Sequence, residues 1–307
     1  MSFDWGQRLE SGKIVLIDGG TGTELERRGV AGDEATWSGK GMHTHHDVVR
    51  EIHEDYIRAG ARVIITNTFG TARQVLEGAG LGEQVESINR RAVEVAKEAR
   101  DNLADRSVAI AGSMSAMPPH FDRSAYGDKD EELEVYRELA GILADAGVEL
   151  IALEMMEETD HAPLAIEAAM ETGLPVWLGV SCKLHPESGE VVSFGPQNIP
   201  FDRLLDHLLE ETPAVVNLMH SEIDSIPEAL SILQERWDGP IGVYPESGYF
   251  TKPSWNFVDV ISPEDLVKEA KDWVAAGARL LGGCCGTGPE HIEALAAAEE
   301  ELQAAGR

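Results

Sequence analysis

The chain has 307 residues, of which 43% are hydrophobic and 26% charged, an ordinary composition that argues against disorder, collagen and coiled coil. Because 55 Asp and Glu outnumber 25 Lys and Arg to give a net charge of −30, nucleic acid and anionic membrane surfaces are expected to be poor partners. The sequence has no apolar stretch of about 18 residues, and three cysteines do not make a disulfide framework, so we predict a cytosolic protein.

Short apolar segments rich in β-branched residues alternate with longer amphipathic segments along the whole chain. The predicted strands are residues 13–18, 62–68, 107–113, 148–154, 175–182, 214–218, 240–244 and 279–284. The predicted helices are residues 48–59, 83–103, 131–146, 162–172, 202–211, 227–237, 263–276 and 289–304. We expect Asp47 to cap the first of these helices, and Gly60, Gly147 and Gly277 to end the helices that precede three of the strands.

Near-continuous apolar strands are typical of a parallel sheet that is buried on both faces. With a helix after each strand, the pattern predicts an α/β fold, a (β/α)8 TIM barrel that forms a single domain over residues 1–307. A doubly wound sheet is the competing fold, but its G-x-G-x-x-G fingerprint does not fit the segment GGTGTE at residues 19–24.

Polar residues collect where the predicted strands end, which is the end at which TIM barrels carry their chemistry. They are Asp18, Asn67, Thr68, Glu154, Cys182, His220, Tyr244, Glu246, Cys284 and Cys285. Such residues are costly to bury without partners. Their clustering therefore predicts an enzyme.

The segment GGCCGTGP at residues 282–289 places two adjacent thiols in a glycine-rich turn before a helix. Nearby backbone amides and the helix dipole favour thiolate over thiol, and thiolates in a cytosolic protein point to zinc. A pair of inert buried cysteines is the alternative. Cys182 and His220 are candidates to complete the site. If the sixth strand continues, His220 points the same way as Leu218, because side chains repeat every second residue; alternatively His220 is a solvated loop residue.

Three further features suggest a ligand site. Asp18 and Glu154 could together bind an ammonium group, although Asp18 could instead bond to loop amides. The indole face of Trp37 could hold an onium cation, although a plain lid residue fits equally. The HTHH segment at residues 43–46 is either a second metal site or a polar loop before a helix.

Five segments together resemble a known family. They are DGGTGTEL at residues 18–25, ITNTF at 65–69, ALEM at 152–155, YP-x-SG at 244–248 and GGCCG at 282–286. In this order, and over roughly residues 14–295, they resemble the homocysteine S-methyltransferase family. That family includes the betaine–homocysteine and S-methylmethionine–homocysteine methyltransferases.

The resemblance implies a zinc-containing barrel in which Zn²⁺ binds the homocysteine sulfur, whose thiolate then attacks a methyl group on an onium donor or a methylated cofactor. By position, Cys284 and Cys285 would be zinc ligands. The residues assigned to the substrates are Asp18, Gly19, Thr68, Glu154, Trp37 and Tyr244. No catalytic residue is expected beyond the metal-activated substrate thiol.

The sequence departs from the family at the metal and at the donor. The family's third zinc ligand is a cysteine directly after the Val-Asn pair of the sixth strand, where this chain has Leu218. We predict that His220 replaces it. Two thiolates and an imidazole leave a neutral zinc site, so the substrate sulfur should be held more tightly and be a weaker nucleophile. Glu246, often Asn in the family, and the loop at residues 114–119 also differ, which leaves the donor open.

The favoured function is therefore zinc-dependent methyl transfer from S-methylmethionine, betaine or a dimethylsulfonio compound to homocysteine, giving methionine. Only small-molecule partners are predicted, and a homo-oligomer stays open. One alternative is a lyase that uses Glu154 and Asp18 as acid and base without zinc; another is a non-catalytic metal- or thiol-binding protein. The length excludes a complete cobalamin-dependent methionine synthase but not a homocysteine module serving a corrinoid protein.

Overall fold

Eight parallel strands form a ring at the centre of the computed structural model, which describes residues 3–103 and 106–306. The ring strands are Val15–Leu16 (β1), Val63–Ile65 (β2), Ala109–Ser115 (β3), Leu150–Met156 (β4), Val176–Val180 (β5), Val215–Met219 (β8), Ile241–Tyr244 (β9) and Leu280–Leu281 (β12). Their spatial order is β1-β12-β9-β8-β5-β4-β3-β2, and a parallel bridge from Ile17 to Val63 closes the ring. The predicted (β/α)8 barrel is confirmed.

The helices surround the ring, and those that the sequence predicted lie close to their predicted positions. They are Trp5–Glu10 (α1), Thr21–Arg27 (α2), Gly39–Thr44 (α3), His46–Ala59 (α4), Arg73–Gly78 (α5), Val85–Asn102 (α6), Lys129–Ala146 (α7), Ala162–Glu171 (α8), Phe201–Leu208 (α9), Ile226–Gln234 (α10), Pro263–Ala275 (α11), Pro289–Ala297 (α12) and Glu299–Ala305 (α13). The four short helices at residues 5–10, 21–27, 39–44 and 73–78 were not predicted. None of the helices in the described part of the chain combines the length and the apolar character that crossing a membrane requires.

Three details of the helix ends test the sequence predictions. Gly60, Gly147 and Gly277 all have positive φ, as expected of residues that end helices. The prediction of Asp47 as an N-cap is wrong, because α4 begins at His46 and Asp47 lies in its first turn. The last predicted helix is in fact two, α12 and α13, which are separated at Ala298.

Two hydrophobic layers hold the barrel together. Side chains that alternate along the strands, such as Val15 and Ile17 on the first segment, fill the interior of the ring. The intervening side chains, such as Leu16 and Leu218, pack against the surrounding helices in a second, larger cluster. Trp5 on α1 meets Trp177 edge-on at 5.1 Å between ring centroids, so α1 packs against the interior layer.

Two short hairpins lie in the loops that follow the ring strands. Cys182–Leu184 (β6) pairs with Val191–Ser193 (β7), and Tyr249–Thr251 (β10) pairs with Ser254–Asn256 (β11). Neither hairpin was predicted from the sequence. Both matter for the site, because Phe194 directly after β7 and Tyr249, Phe250 and Trp255 of the second hairpin line its cavity.

Candidate functional site

A cavity of about 570 Å³ opens at the carboxyl ends of the ring strands. This volume is within the range of small-molecule sites in proteins. The predicted site residues that line it are Asp18, Gly19, Trp37, Glu154, His220, Cys284 and Cys285. The structure thus brings together side chains from both ends of the sequence.

Two predicted substrate residues, Thr68 and Tyr244, are not among those that line the cavity. The Thr68 hydroxyl donates to the backbone oxygen of Ser113 at 2.7 Å, which ties the ends of two neighbouring strands together. Tyr244 is buried within the barrel interior, and its backbone oxygen accepts a hydrogen bond from the backbone nitrogen of His220. Both residues therefore support the walls of the site.

Three side chains that could hold a metal ion lie together on one wall of the cavity. The ligand atoms of His220, Cys284 and Cys285 all lie within 4.8 Å of one another, and His220 Nδ1 is 3.5 Å from Cys284 Sγ. Two sulfurs and one imidazole nitrogen form a donor set that suits Zn²⁺. Within residues 3–103 and 106–306, no other group of three or more His, Cys, Asp or Glu side chains has its ligand atoms this close together. The HTHH segment at residues 43–46 therefore does not form a second metal site in the described structure.

The backbone places the two cysteines. The nitrogen of Cys284 donates to Pro245 O at 2.9 Å, and the nitrogen of Ser247 donates to Cys285 O at 2.9 Å. Gly286 follows with a φ of +83°, and a Cβ at that position would lie 1.7 Å from Ser247 O. Only glycine allows the two segments to approach so closely. This explains one glycine of the GGCCG motif.

His220 reaches the cavity by a route that the sequence analysis did not foresee. β8 ends at Met219, and His220 follows with a left-handed φ of +42°. Leu218, by contrast, packs against the helices in the outer cluster. The prediction that Leu218 and His220 share a face by simple alternation is therefore wrong, because the backbone turns at His220 and directs its ring into the site.

Cys182 does not belong to the metal-binding group. Its Sγ lies 3.5 Å from the hydroxyl oxygens of both Ser221 and Ser225, and its side chain belongs to the outer hydrophobic cluster. Burial raises the pKa of the Cys182 thiol to about 11. This cysteine is therefore a neutral core residue.

Charges inside the cluster favour an ionised sulfur. The hydrogen bond from Cys285 lowers the pKa of Cys284; burial opposes this effect, and the His220 ring adds to it. Burial alone would lower the pKa of His220, but the nearby Glu246 carboxylate and the Cys284 thiolate outweigh it and raise the pKa of the ring. Without a bound cation the wall thus favours a thiolate next to a protonated imidazole, and a metal ion held there would displace the proton from the ring.

Two carboxyl groups lie at the cavity: Asp18, which is buried and follows β1, and Glu154, which is partly buried and lies near the end of β4. Asp18 Oδ2 accepts from the backbone nitrogen of Ile65 at 2.7 Å, and Glu154 accepts from the Ser113 hydroxyl. Burial is the largest cause that raises the pKa of both, well above the usual range for Asp18 and to about 8 for Glu154. A cation placed between them would restore the charged forms.

Aromatic rings line another part of the cavity. Trp37 donates its indole N–H to Glu26 at 2.9 Å, which fixes the orientation of the ring. The edges of Phe69 and Phe250 approach it at 6.1 and 6.2 Å between centroids. An indole face in this setting can hold a cation by attraction to its π-electrons.

A charged pair on the cavity wall was missed by the sequence analysis. Arg123 Nη2 and Glu157 Oε1 are 2.6 Å apart. The second terminal nitrogen of Arg123, Nη1, and the second carboxylate oxygen of Glu157, Oε2, are buried and have no hydrogen-bond partner within the described ranges. Glu157 follows β4 directly and could have been noticed as a polar residue at a strand end. Arg123 begins a three-residue 3-10 helix between β3 and α7, where no sequence pattern marked it.

Comparison with known proteins identifies the family. A sequence profile of homocysteine S-methyltransferases matches residues 15–298. The chain belongs to this family. One similar protein, homocysteine S-methyltransferase 4 of Zea mays, is 30% identical to this chain over 321 residues. The alignment covers 96% of this chain and 92% of the relative. A selenocysteine methyltransferase of Astragalus bisulcatus is 29% identical, with 93% and 92% covered.

A solved homocysteine methyltransferase has the same fold. The metallated form of MmuM from Escherichia coli aligns with this chain at a TM-score of 0.76 and 27% identity, covering 95% of this chain and 98% of the other. Family membership confirms the predicted methyltransferase and the resemblance on which that prediction depended. It supports methyl transfer to homocysteine, and the metallated form of MmuM together with the group of His220, Cys284 and Cys285 suggests a metal.

Proposed function

We propose that this methyltransferase moves a methyl group from a small onium donor that carries a carboxylate to the thiol of homocysteine, giving methionine, and that its metal is Zn²⁺. One observation carries the proposal: His220, Cys284 and Cys285 bring their ligand atoms within 4.8 Å of one another on the wall of the cavity that also holds the carboxyl groups of Asp18 and Glu154. The candidate donors are S-methylmethionine, betaine and dimethylsulfonio compounds.

The metal would be held by His220 Nδ1 and by the sulfurs of Cys284 and Cys285. Two soft sulfurs and an imidazole favour zinc over the hard cations that prefer oxygen ligands. When bound, zinc lowers the pKa of a thiol, so that a thiolate nucleophile is available near neutral pH. Because all three protein ligands lie on the wall of the cavity, a fourth position can face the substrate.

The acceptor would be held by its amino group. Glu154 and Asp18 present two carboxyl groups at the cavity, and the positive charge of an ammonium group stabilises their ionised forms. This arrangement selects an amino-acid thiol over a plain thiol. The thiol proton leaves to solvent on binding, because the sulfur must be deprotonated to react.

The donor would occupy the aromatic and charged side of the cavity. Trp37 provides a π-face for the onium group, and Arg123 Nη1, a buried donor without a partner in the described chain, is suited to a carboxylate. In the transfer, a sulfur electron pair forms the new C–S bond to the methyl carbon. The bond from that carbon to the onium atom breaks and leaves its electron pair there, so that the donor departs neutral at that atom. Holding both reactants in one cavity supplies much of the rate.

The test is a transfer assay with isotopically labelled donors. Purified protein is incubated with homocysteine and, in turn, S-methylmethionine, betaine or dimethylsulfoniopropionate carrying ¹³C-methyl groups, and labelled methionine is measured by mass spectrometry. We expect label from at least one donor and none with Cys284→Ala. If methylcobalamin alone supplies the methyl group, the onium donor is wrong while the acceptor half stands.

A further inference from the structure

The His220 ring makes polar contacts at both of its nitrogens. Nδ1 faces Cys284 Sγ at 3.5 Å, and Nε2 lies 3.0 Å from Glu246 Oε2. Only 6% of His220 and 9% of Glu246 is exposed to solvent. Water therefore competes little with the contact between them, and the hydrogen bond is stronger than it would be at the surface.

The backbone holds Glu246 in register with both cysteines. Its neighbours form the two backbone bonds that tie the loop after β9 to the loop after β12, from Cys284 N to Pro245 O and from Ser247 N to Cys285 O. β9 lies between β8 and β12 in the ring. The backbone of the loop after β9, which carries Glu246, therefore runs between the backbone of His220 and that of the two cysteines. The carboxylate is consequently placed by the same bonds that place the metal-binding sulfurs.

The ring of His220 is also restrained by packing. The rings of Phe194 and Trp255 meet it at 5.0 and 5.8 Å between centroids, with interplanar angles of 68° and 65°. A 180° rotation of the ring about its Cβ–Cγ bond, which would put carbon atoms where the two nitrogens now lie, would sweep the ring past these aromatic side chains. Packing thus limits the ring to one plane, but it does not decide which nitrogen carries the proton.

We propose that Glu246 is a positioning residue that selects the tautomer of His220 for metal binding. A neutral imidazole has one N–H donor and one acceptor nitrogen. If Nε2–H donates to the Glu246 carboxylate, Nδ1 keeps its lone pair and points it toward Cys284, where the metal would be held. This inference rests on the proposed metal site and extends it by one residue.

The carboxylate would also adjust the charge of the site. Two thiolates and a neutral imidazole balance Zn²⁺ to zero, and Glu246 adds one negative charge next to the imidazole ligand. A site with more negative charge binds a substrate sulfur less tightly and leaves it more reactive. The weak nucleophile expected of a neutral site is therefore offset by a residue outside the set of direct ligands.

The experiment is a double-mutant cycle on zinc affinity. The zinc dissociation constant is measured by competition with a chromophoric chelator for the native protein, Glu246→Gln, His220→Cys and the double variant. We expect Glu246→Gln to weaken zinc binding about 10- to 100-fold in the native background, as loss of a carboxylate behind a histidine ligand typically does. In the His220→Cys background the same change should alter the affinity by less than about 3-fold, because no tautomer is left to select.

Three further variants make the cycle decisive. Glu222→Gln removes a carboxylate from the same cavity at an exposed position and should leave zinc affinity unchanged. Glu246→Asp keeps the charge but shortens the reach, so it should bind zinc less tightly than the native protein if position matters. His220→Ala tests the ligand itself.

The outcomes separate the two proposals. Equal weakening by Glu246→Gln in both backgrounds, or full affinity in Glu246→Asp, would show that Glu246 acts through charge or folding and would overturn its positioning role. Zinc loss in His220→Ala together with native affinity in Glu246→Gln would remove only this inference. Native zinc affinity in His220→Ala would overturn the ligand assignment as well.

Discussion

Nδ1 of His220 lies 3.5 Å from Sγ of Cys284, although the two residues are 64 positions apart in the sequence. His220 follows β8 and Cys284 follows β12, and β9 lies between these two strands in the ring. The two side chains therefore meet across the carboxyl end of β9. Neither residue is placed by local sequence alone. His220 depends on a left-handed turn after β8, and Cys284 depends on its hydrogen bond to Pro245.

The first prediction concerns metal content. We expect about one zinc per chain in the native protein and loss of most of it in both His220→Ala and Cys284→Ala, since each variant removes one of three ligands. Metal is measured by plasma mass spectrometry after dialysis against a weak chelator. The matched control is Cys182→Ser, which changes a cysteine outside the group and should keep its zinc. Zinc loss in that control would contradict the ligand assignment.

The second prediction concerns the amino group of the acceptor. Glu154→Gln should raise the KM for homocysteine about 10- to 100-fold, because a charge-assisted hydrogen bond to ammonium contributes about 1.5–3 kcal/mol. Glutamine keeps the shape of the side chain and can still accept from the Ser113 hydroxyl. The measurement is the initial rate of methyl transfer over a range of acceptor concentrations.

A second acceptor serves as the control for Glu154. The compound 4-mercaptobutanoate is homocysteine without its amino group, so the native protein and Glu154→Gln should use it equally poorly. The preference of the native protein for homocysteine should largely disappear in the variant. If both acceptors lose the same factor in Glu154→Gln, the carboxylate supports the fold of the site and does not recognise ammonium.

The third prediction concerns the carboxylate of the donor. Arg123→Gln should raise the KM for the onium donor about 10-fold or more with little change for homocysteine, since it removes the guanidinium whose Nη1 lacks a partner in the described structure. Lys252→Gln is the control, because it removes a positive charge next to the ring of Phe121, a residue of the cavity lining, without itself lining the cavity. If the two variants raised the KM for the donor equally, Arg123 would act through the overall electrostatic potential of the cavity and not through a direct contact with the donor carboxylate.

The fold could be predicted from the sequence because its strands are buried on both faces. Segments such as that around Val15 and Ile17 are apolar at every position, so their number and order were readable without any tertiary information. The helix ends were less certain. The capping role given to Asp47 failed because α4 begins earlier, at His46, and its N-cap is His45, whose side chain makes no capping bond.

The site could be predicted only where it follows the strands. Asp18, Glu154 and the cysteines end apolar segments, and that position marked them. Arg123 lies in a short 3-10 helix between β3 and α7, and Phe250 lies in a hairpin. The course of both segments depends on contacts that no local pattern records. The relation between His220 and Glu246 was also hidden, because two separate departures from the family became one hydrogen bond only in three dimensions.

The fourth prediction concerns acid stability and a residue far from the chemistry. His53 on α4 is fully buried, and neither of its ring nitrogens has a hydrogen-bond partner in the described structure. Burial lowers the pKa of His53 to about 4 from the usual 6.5. As the pH falls below 6.5, the unfolded chain takes up a proton that the folded chain refuses, so stability is lost progressively down to about pH 4.

The variant His53→Leu removes this dependence while keeping an apolar side chain in the core. Between pH 7 and pH 5, the free energy of unfolding of the native protein should fall by about 2 kcal/mol more than that of the variant. Urea denaturation at several pH values and a fixed zinc concentration measures both curves. His43→Leu, at an exposed position, should follow the native curve. Parallel curves for the native protein and His53→Leu would mean that the buried ring gains a proton without cost, in conflict with its lack of partners.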